Sequence, residues 1–196
     1  TVKIVNSKIL FLEDHYFRLM SSMRFIRMEI PMNFSMPFFE NEILKLVQHN
    51  NCSQSARVRI TVFRNSGGLY LPKTNTISYL IDAQAVENQN YLQKTEPYEI
   101  DLFKDFLVTN HLLSTLKTTN KLIQITGSIY AKENDLNNCL LLNDSKNIVE
   151  ALNGNVFMLM GNKLISPPIS EGCVNGIMRK QIITLAKKNA EIEFVE

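Results

Sequence analysis

Three charged side chains in this sequence have settings in which they could do chemistry: Arg18, Lys117 and Glu150. Lys117 lies in the polar stretch STLKTTNKL, residues 114–122. A lysine whose pKa is lowered by burial or by a cationic neighbour can attack a carbonyl carbon. The alternative is an ordinary solvated lysine, because lysine side chains are seldom buried. The nine residues of the stretch do not decide between these two interpretations.

Arg18 and Glu150 each admit two interpretations as well. Arg18 lies within an otherwise apolar helical stretch, residues 16–20. Its guanidinium could bind a phosphate as a planar fork, or it could extend from the edge of the apolar stripe into water. Glu150 follows the apolar pair at 148–149 and precedes the turn-forming residues 151–155. It could be a carboxylate that faces a cation in a closed site, or a solvated carboxylate at the end of a strand.

The stretch CVNGIMR, residues 173–179, provides a fourth feature. Gly176 directly precedes a predicted helix, so the backbone N–H groups of Gly176, Ile177 and Met178 point out of the helix N-terminus. Such an end can bind an anion, although a plain glycine before a helix is also common. The stretch lacks the glycine spacing of a Rossmann or P-loop motif, so the sequence does not support nucleotide binding.

The apolar pattern predicts the elements that must position these residues. A period near 3.6 predicts helices, and alternation between turn signals predicts strands. The predicted helices begin near residue 13 and cover 36–51, 119–133 and 176–190, and the predicted strands lie in 3–11, 56–66, 76–84, 137–144 and 147–168. Residues 88–105 are predicted to be irregular, and 101–113 a connection. The mixture predicts an α+β fold of two lobes, residues 1–108 and 109–196.

Composition restricts the class of protein and its partners. Hydrophobic residues make up 45% of the 196 residues and charged residues 20%, which is typical of a globular protein. The net charge is +2 and the basic residues are scattered, so we expect no nucleic-acid partner. The apolar runs are shorter than the ~20 residues of a membrane span, and the polar start predicts no signal peptide. Three separated cysteines and three dispersed histidines predict reduced thiols, no metal site and a cytoplasmic location.

Four stretches resemble, in this order, motifs of the fold-type IV (class IV) pyridoxal-phosphate aminotransferases. That family includes branched-chain aminotransferases, D-amino-acid aminotransferases and aminodeoxychorismate lyases. The stretches are FLEDHYFRL (11–19), LKTTNKL (116–122), VEALNGNVF (149–157) and VNGIMR (174–179). The resemblance implies a fold like that of D-amino-acid aminotransferase, with a small N-terminal α/β lobe and a larger C-terminal mixed lobe. It also implies that the chain is shorter than family members at both ends.

The resemblance implies a cofactor, pyridoxal 5'-phosphate, and a role for each candidate residue. Lys117 would bond to the cofactor aldehyde and move the proton of the substrate. Glu150 would pair with the protonated pyridine nitrogen of the cofactor. Arg18 would bind the cofactor phosphate, together with the helix N-terminus at Ile177 and Met178. Family members are homodimers, so the resemblance also implies a homodimer.

Two reactions and one non-enzyme interpretation stay open at this point. An aminotransferase moves an amino group between an amino acid, here branched-chain-like, and a 2-oxo acid; this is the main prediction, because it is the wider class. A 4-amino-4-deoxychorismate lyase releases pyruvate and 4-aminobenzoate, and Met178 favours it because aminotransferases commonly have threonine there. A degenerate relative that binds no cofactor is the third interpretation, and the presence of all three charged residue types disfavours it.

Overall fold

The computed structural model describes residues 1–87, 90–92 and 95–196, which form two compact units, Thr1–Lys94 and Thr95–Glu196. The helices are α1 Leu12–Phe25, α2 Met36–His49, α3 Leu122–Glu133 and α4 Ile177–Ala186. The strands are β1 Val2–Val5, β2 Lys8–Ile9, β3 Ser55–Arg64, β4 Ile77–Ala85, β5 Ile100–Val108, β6 Asn138–Asn143, β7 Ile148–Ala151, β8 Met158–Met160, β9 Lys163–Ile165 and β10 Glu193–Val195. Short 3-10 turns cover Leu112–Thr115 and Ile169–Glu171.

The first unit contains an antiparallel sheet in the order β2-β1-β3-β4. The sheet and the helices α1 and α2 contribute residues to one hydrophobic core. Helix α2 begins where the Ser35 hydroxyl accepts the N–H of Phe38 at 3.3 Å, an N-cap that satisfies one exposed helix donor. Its buried residues Phe39, Ile43 and Val47 recur every fourth position, so they form one apolar stripe that packs in the core. The helices therefore bury their apolar faces in the same core as the sheet.

The second unit contains two three-stranded sheets, in the orders β5-β6-β7 and β10-β9-β8. β6 is the central strand of the first sheet, parallel to β5 and antiparallel to β7. α3 approaches this sheet closely at Gly127, where an added Cβ would lie 2.5 Å from Leu152 Cδ2 and 3.3 Å from Phe103 Cδ1. This close approach brings α3 beside the turn that follows β7, and β7 carries Glu150.

Most predicted elements of the chain are confirmed within a few residues. The predicted hairpin of residues 3–11 is β1–β2, and Asn6 and Ser7 have the positive φ angles, 48° and 62°, of a tight two-residue turn. The predicted helices correspond to α1, α2, α3 and α4. Among the described residues, no helix is long and apolar enough to cross a lipid bilayer.

The prediction for residues 101–113 was wrong, because Ile100–Val108 is the strand β5 rather than a connection. Of the stretch 88–105 that was predicted to be irregular, positions 88, 89, 93 and 94 lie outside the described residues, and β5 begins at Ile100. Only Phe103 and Val108 of this strand are buried. Its sequence also lacks the regular alternation of apolar and polar residues that is typical of a strand. Since β5 pairs with β6, the compact units divide before Thr95, earlier than the predicted boundary near residue 108.

Candidate active site

Lys117 is an exposed residue that follows a firmly anchored 3-10 turn, Leu112–Thr115, in the second unit. His111 caps the turn, because its Nδ1 accepts the N–H of Ser114 at 3.1 Å. The Ser114 hydroxyl donates to the backbone oxygen of Thr109 at 2.5 Å. Leu116, which directly precedes Lys117, is buried. The backbone that leads to Lys117 is therefore fixed, while the side chain itself reaches solvent.

Glu150 is a buried carboxylate on β7, only 6% exposed, opposite Leu141 of β6. Its Oε2 accepts the backbone N–H of Val174 at 2.9 Å, and its Oε1 accepts the side-chain amide of Gln124 at 3.4 Å. Each carboxylate oxygen has two lone pairs, so both oxygens keep the capacity for a further donor. A buried carboxylate is stabilised by a cation and by hydrogen bonds. This burial rules out the solvated strand-end interpretation of Glu150.

The start of α4 is an open helix N-terminus with a glycine at the N-cap. No side chain of the described residues caps this end, and the first helical bond runs from Lys180 N–H to Gly176 oxygen, at 3.1 Å. A Cβ added to Gly176 would overlap Asn155 Oδ1, so a larger residue there would displace the Asn155 side chain. Ile177 is buried, whereas Met178 is 41% exposed. The free N–H groups and the absence of a side chain at position 176 suit a bound anion.

The segment 174–176 connects the loop before Lys117, the carboxylate of Glu150 and the start of α4 through hydrogen bonds of its backbone groups. The N–H of Val174 donates to Glu150, and the N–H of Asn175 donates at 3.0 Å to the oxygen of Thr115, two residues before Lys117. The Val174 oxygen accepts the amide of Asn155 at 2.8 Å, and Gly176, two residues after Val174, is the N-cap of α4. One short segment therefore joins the Lys117 loop, the buried carboxylate and the open helix end within the second unit.

Arg18 belongs to the first unit, where it lies half-buried on α1. Its Nη2 is 3.5 Å from the Nδ1 of His15, one helical turn earlier. Burial lowers the pKa of Arg18 below its ordinary value. Burial, followed by the positive charge of Arg18, lowers the pKa of His15 to about 4. His15 is therefore neutral near pH 7, and its ring nitrogen can accept a hydrogen bond from the guanidinium.

Sequence reasoning missed the residues that hold the candidate groups in place. Asn155 stands inside the quoted stretch VEALNGNVF, so its identity was a usable signal. His15 stands in FLEDHYFRL, three positions before Arg18, a spacing that makes helical neighbours. Gln124 carries no comparable signal, because its contact with Glu150 depends on how α3 packs on the sheet. The donor at Val174 is a backbone N–H, so the residue type at this position does not predict the hydrogen bond to Glu150.

Comparison with known proteins identifies the family of the chain. The profile of the family described as Amino-transferase class IV matches residues 1–196. The chain therefore belongs to the class IV aminotransferase family. A curated relative from Methanocaldococcus jannaschii, described as a putative branched-chain-amino-acid aminotransferase, is 25% identical over 195 residues. That match covers 100% of this chain and 66% of the relative.

Solved structures confirm the predicted fold-type IV architecture. The branched-chain aminotransferase of Thermobaculum terrenum in its PLP form has a TM-score of 0.85 at 22% identity, over 100% of this chain and 65% of that one. The putative 4-amino-4-deoxychorismate lyase of Legionella pneumophila has a TM-score of 0.84 at 19% identity, over 98% and 69%. The chain spans about two thirds of the length of the relatives that it matches. At these identities the structures show the fold.

The His15–Arg18 contact predicts an acid-sensitive stability. The folded pKa of His15, about 4, is below the ordinary 6.5, so the unfolded chain takes up this proton first as the pH falls. The free energy of unfolding should therefore be highest above pH 6.5 and should fall between pH 6.5 and about 4. The substitution His15→Gln in the full-length protein should reduce this slope, as measured by urea unfolding across that range.

His49→Gln is the control for this prediction, because His49 is exposed at the end of α2. The control variant should keep the slope of the wild-type protein. Equal slopes for the His15→Gln variant and the wild-type protein would show that His15 is not held neutral in the folded state.

Proposed function

We propose that the full-length protein is a pyridoxal-phosphate-dependent aminotransferase, with Lys117 as the catalytic residue. The observation that carries the proposal is the segment 174–176, which ties the Lys117 loop to buried Glu150 and to the open N-terminus of α4. Membership of the class IV family supports the same conclusion. The proposal includes the homodimer that the family resemblance implies and the cytoplasmic location that the separated cysteines predict.

The residue types fit the three ends of pyridoxal phosphate. The amine of Lys117 fits the aldehyde, the buried carboxylate of Glu150 fits a protonated pyridine nitrogen, and the start of α4 fits the phosphate. Gly176 places no side chain of its own at the helix start, and the position of a Cβ there is taken by Asn155 Oδ1. When bound, this cofactor withdraws electrons from the bonds at the substrate α-carbon.

Each residue of the chain then has a distinct task. Lys117 Nζ would hold the cofactor at its aldehyde and would move the proton of the substrate α-carbon. Glu150 provides a fixed negative charge opposite the ring nitrogen, and the Val174 N–H and Gln124 amide keep its carboxylate in one orientation. The N–H groups of Ile177 and Met178 would bind phosphate oxygens at the helix end, and Arg18 is proposed, from the family resemblance, as a guanidinium that would bind the cofactor phosphate.

We propose a branched-chain-like amino acid and a 2-oxo acid as the substrates. The description of the Methanocaldococcus jannaschii relative and the branched-chain aminotransferase structures support this choice. The lyase reaction on 4-amino-4-deoxychorismate is the second candidate. It is favoured by the methionine at position 178, which stands half-exposed at the helix start, and by the fold shared with the Legionella pneumophila protein.

Replacement of Lys117 tests the assignment of the catalytic residue. Full-length wild-type protein should take up pyridoxal phosphate and become yellow, because an amine bonds covalently to the aldehyde. The Lys117→Ala variant should lose the visible absorbance band and the activity, since no other group is assigned to that bond. Lys121→Ala, four residues along the same stretch, is the matched control and should keep the band. A Lys117→Ala variant that keeps the wild-type band would refute the assignment.

Replacement of Gly176 tests the phosphate end of the site. Gly176→Ala would push away the side chain of Asn155, which also donates to the Val174 oxygen at 2.8 Å. The loss of that buried hydrogen bond, at ~1–3 kcal/mol, should raise the dissociation constant for pyridoxal phosphate by about tenfold or more. Gly154→Ala is the matched control, because a Cβ there meets no described atom within 4 Å. Equal affinities of the two variants, measured by absorbance titration, would contradict the assignment.

One pair of assays separates the two reactions. With leucine and 2-oxoglutarate, an aminotransferase should produce glutamate. With aminodeoxychorismate and no 2-oxo acid, a lyase should produce pyruvate and 4-aminobenzoate. We expect glutamate in the first assay and no 4-aminobenzoate in the second. Release of 4-aminobenzoate without glutamate would establish the second candidate instead.

A further inference from the structure

Glu171 is anchored to the β6–β7 hairpin. It directly precedes the stretch 172–176, which includes the segment 174–176. Glu171 ends the 3-10 turn Ile169–Glu171. Its Oε2 accepts the amide of Asn143 at 2.5 Å and the amide of Asn147 at 3.0 Å, and its backbone oxygen accepts Asn143 again at 3.2 Å. We call this set of contacts the Glu171 clamp. It fixes both the side chain and the backbone of Glu171.

The clamp connects to the hairpin that carries Glu150. Asn143 is fully buried at the end of β6, and its Oδ1 accepts the backbone N–H groups of Ser145 and Asn147 at 3.1 and 3.0 Å. The same side chain therefore shapes the β6–β7 turn and binds Glu171. The hydrogen bonds from Asn147 and Asn143 lower the pKa of Glu171, so the carboxylate is ionised near neutral pH. Hydrogen bonds to an ionised carboxylate are stronger than neutral ones.

The chain after Glu171 runs directly over the other parts of the candidate site. Gly172 has a φ of 96°, and a Cβ there would lie 3.2 Å from the Thr109 oxygen and 3.4 Å from Asn110 Cα. It thus rests on the backbone that leads into the 3-10 turn before Lys117. Cys173 is fully buried, and burial raises the pKa of its thiol. The next two residues supply the N–H groups that bind Glu150 and Thr115.

We propose that Glu171 is a positioning residue for the cofactor site, through the clamp that it forms with Asn143 and Asn147. The inference rests on the proposed function. The clamp fixes the starting point of a stretch of only five residues, 172–176, which must present two N–H groups and a helix end in register. Removal of the Glu171 side chain would leave the contact of its backbone oxygen with Asn143 and the hydrogen bonds of Val174 and Asn175 as the remaining anchors of that stretch.

The physical consequence is confined to the site. Without the clamp, the N–H of Val174 spends less time on Glu150, and the N–H of Asn175 spends less time on Thr115. The carboxylate and the start of α4 are then less well aligned, so the protein must spend binding energy to order them when the cofactor arrives. The affinity for pyridoxal phosphate should fall, and the two amide hydrogens should exchange faster with solvent.

The experiment compares Glu171→Ala and Glu171→Gln with the wild-type protein, all full-length. Glu191→Ala is the control, because Glu191 is an exposed carboxylate of the same unit outside the segment. One measurement is the dissociation constant for pyridoxal phosphate, by absorbance titration. The other is amide hydrogen exchange of Val174, Asn175 and the buried strand residue Leu141 in cofactor-free protein.

Glu171→Ala should raise the dissociation constant for pyridoxal phosphate by about tenfold, because it removes both side-chain hydrogen bonds of the clamp. Exchange at Val174 and Asn175 should accelerate by a similar factor, while exchange at Leu141 stays the same. In both measurements, Glu171→Gln should lie between the wild-type protein and Glu171→Ala, because its amide oxygen can still accept a hydrogen bond from one asparagine. The control should match the wild-type protein in both measurements.

Each outcome either supports the proposal or overturns it. Unchanged affinity and exchange in Glu171→Ala overturn it, and so does equal acceleration at all three amides, which would indicate general destabilisation. If the wild-type protein binds no pyridoxal phosphate, the proposed function fails, and the exchange data still decide whether Glu171 orders the segment. If Glu171→Ala does not fold, Asn147→Ala decides, because it removes one exposed donor and leaves Asn143 in place. It should produce a smaller change of the same pattern, and its absence overturns the proposal.

Discussion

The hydrogen bond from the Val174 N–H to Glu150 Oε2, at 2.9 Å, is the contact on which the organisation of the second unit depends. It satisfies one oxygen of a carboxylate that is 6% exposed, and it sets the position of the chain that continues into α4. A buried charge left without such donors costs several kcal/mol. Both oxygens of Glu150 have a donor, since the amide of Gln124 donates to the other oxygen.

The rest of the unit serves to hold the two partners of that contact. Glu150 lies on β7, an outer strand of its sheet that is bonded to the central strand β6. Val174 is held by its neighbour Asn175, which bonds to Thr115, and by the amide of Asn155 on its own oxygen. Elements far apart in the sequence therefore converge on one short segment. In the first unit, Arg18 and a neutral His15 contact one another on the same face of α1.

Sequence patterns predicted the elements better than they predicted their contacts. Helix α2 was predictable because its buried residues recur every fourth position after a serine cap. Strand β5 was not, because Asp101, Lys104 and Asp105 interrupt its apolar pattern and because its stability comes from pairing with β6. The candidate site residues were found through motif resemblance and not through periodicity. The donors that orient Glu150 escaped prediction, because one is a backbone N–H and the other depends on packing.

The frame around Glu150 is built mainly from peptide groups, and this has a consequence for how the protein can diverge. Thr115, Val174 and Asn175 contribute backbone atoms to the frame, so their side chains can be exchanged without removing these bonds. Glycine is favoured at position 172 by its positive φ and at position 176 by the neighbouring Asn155. Side-chain replacement along this segment can therefore leave in place the backbone bonds that hold the carboxylate.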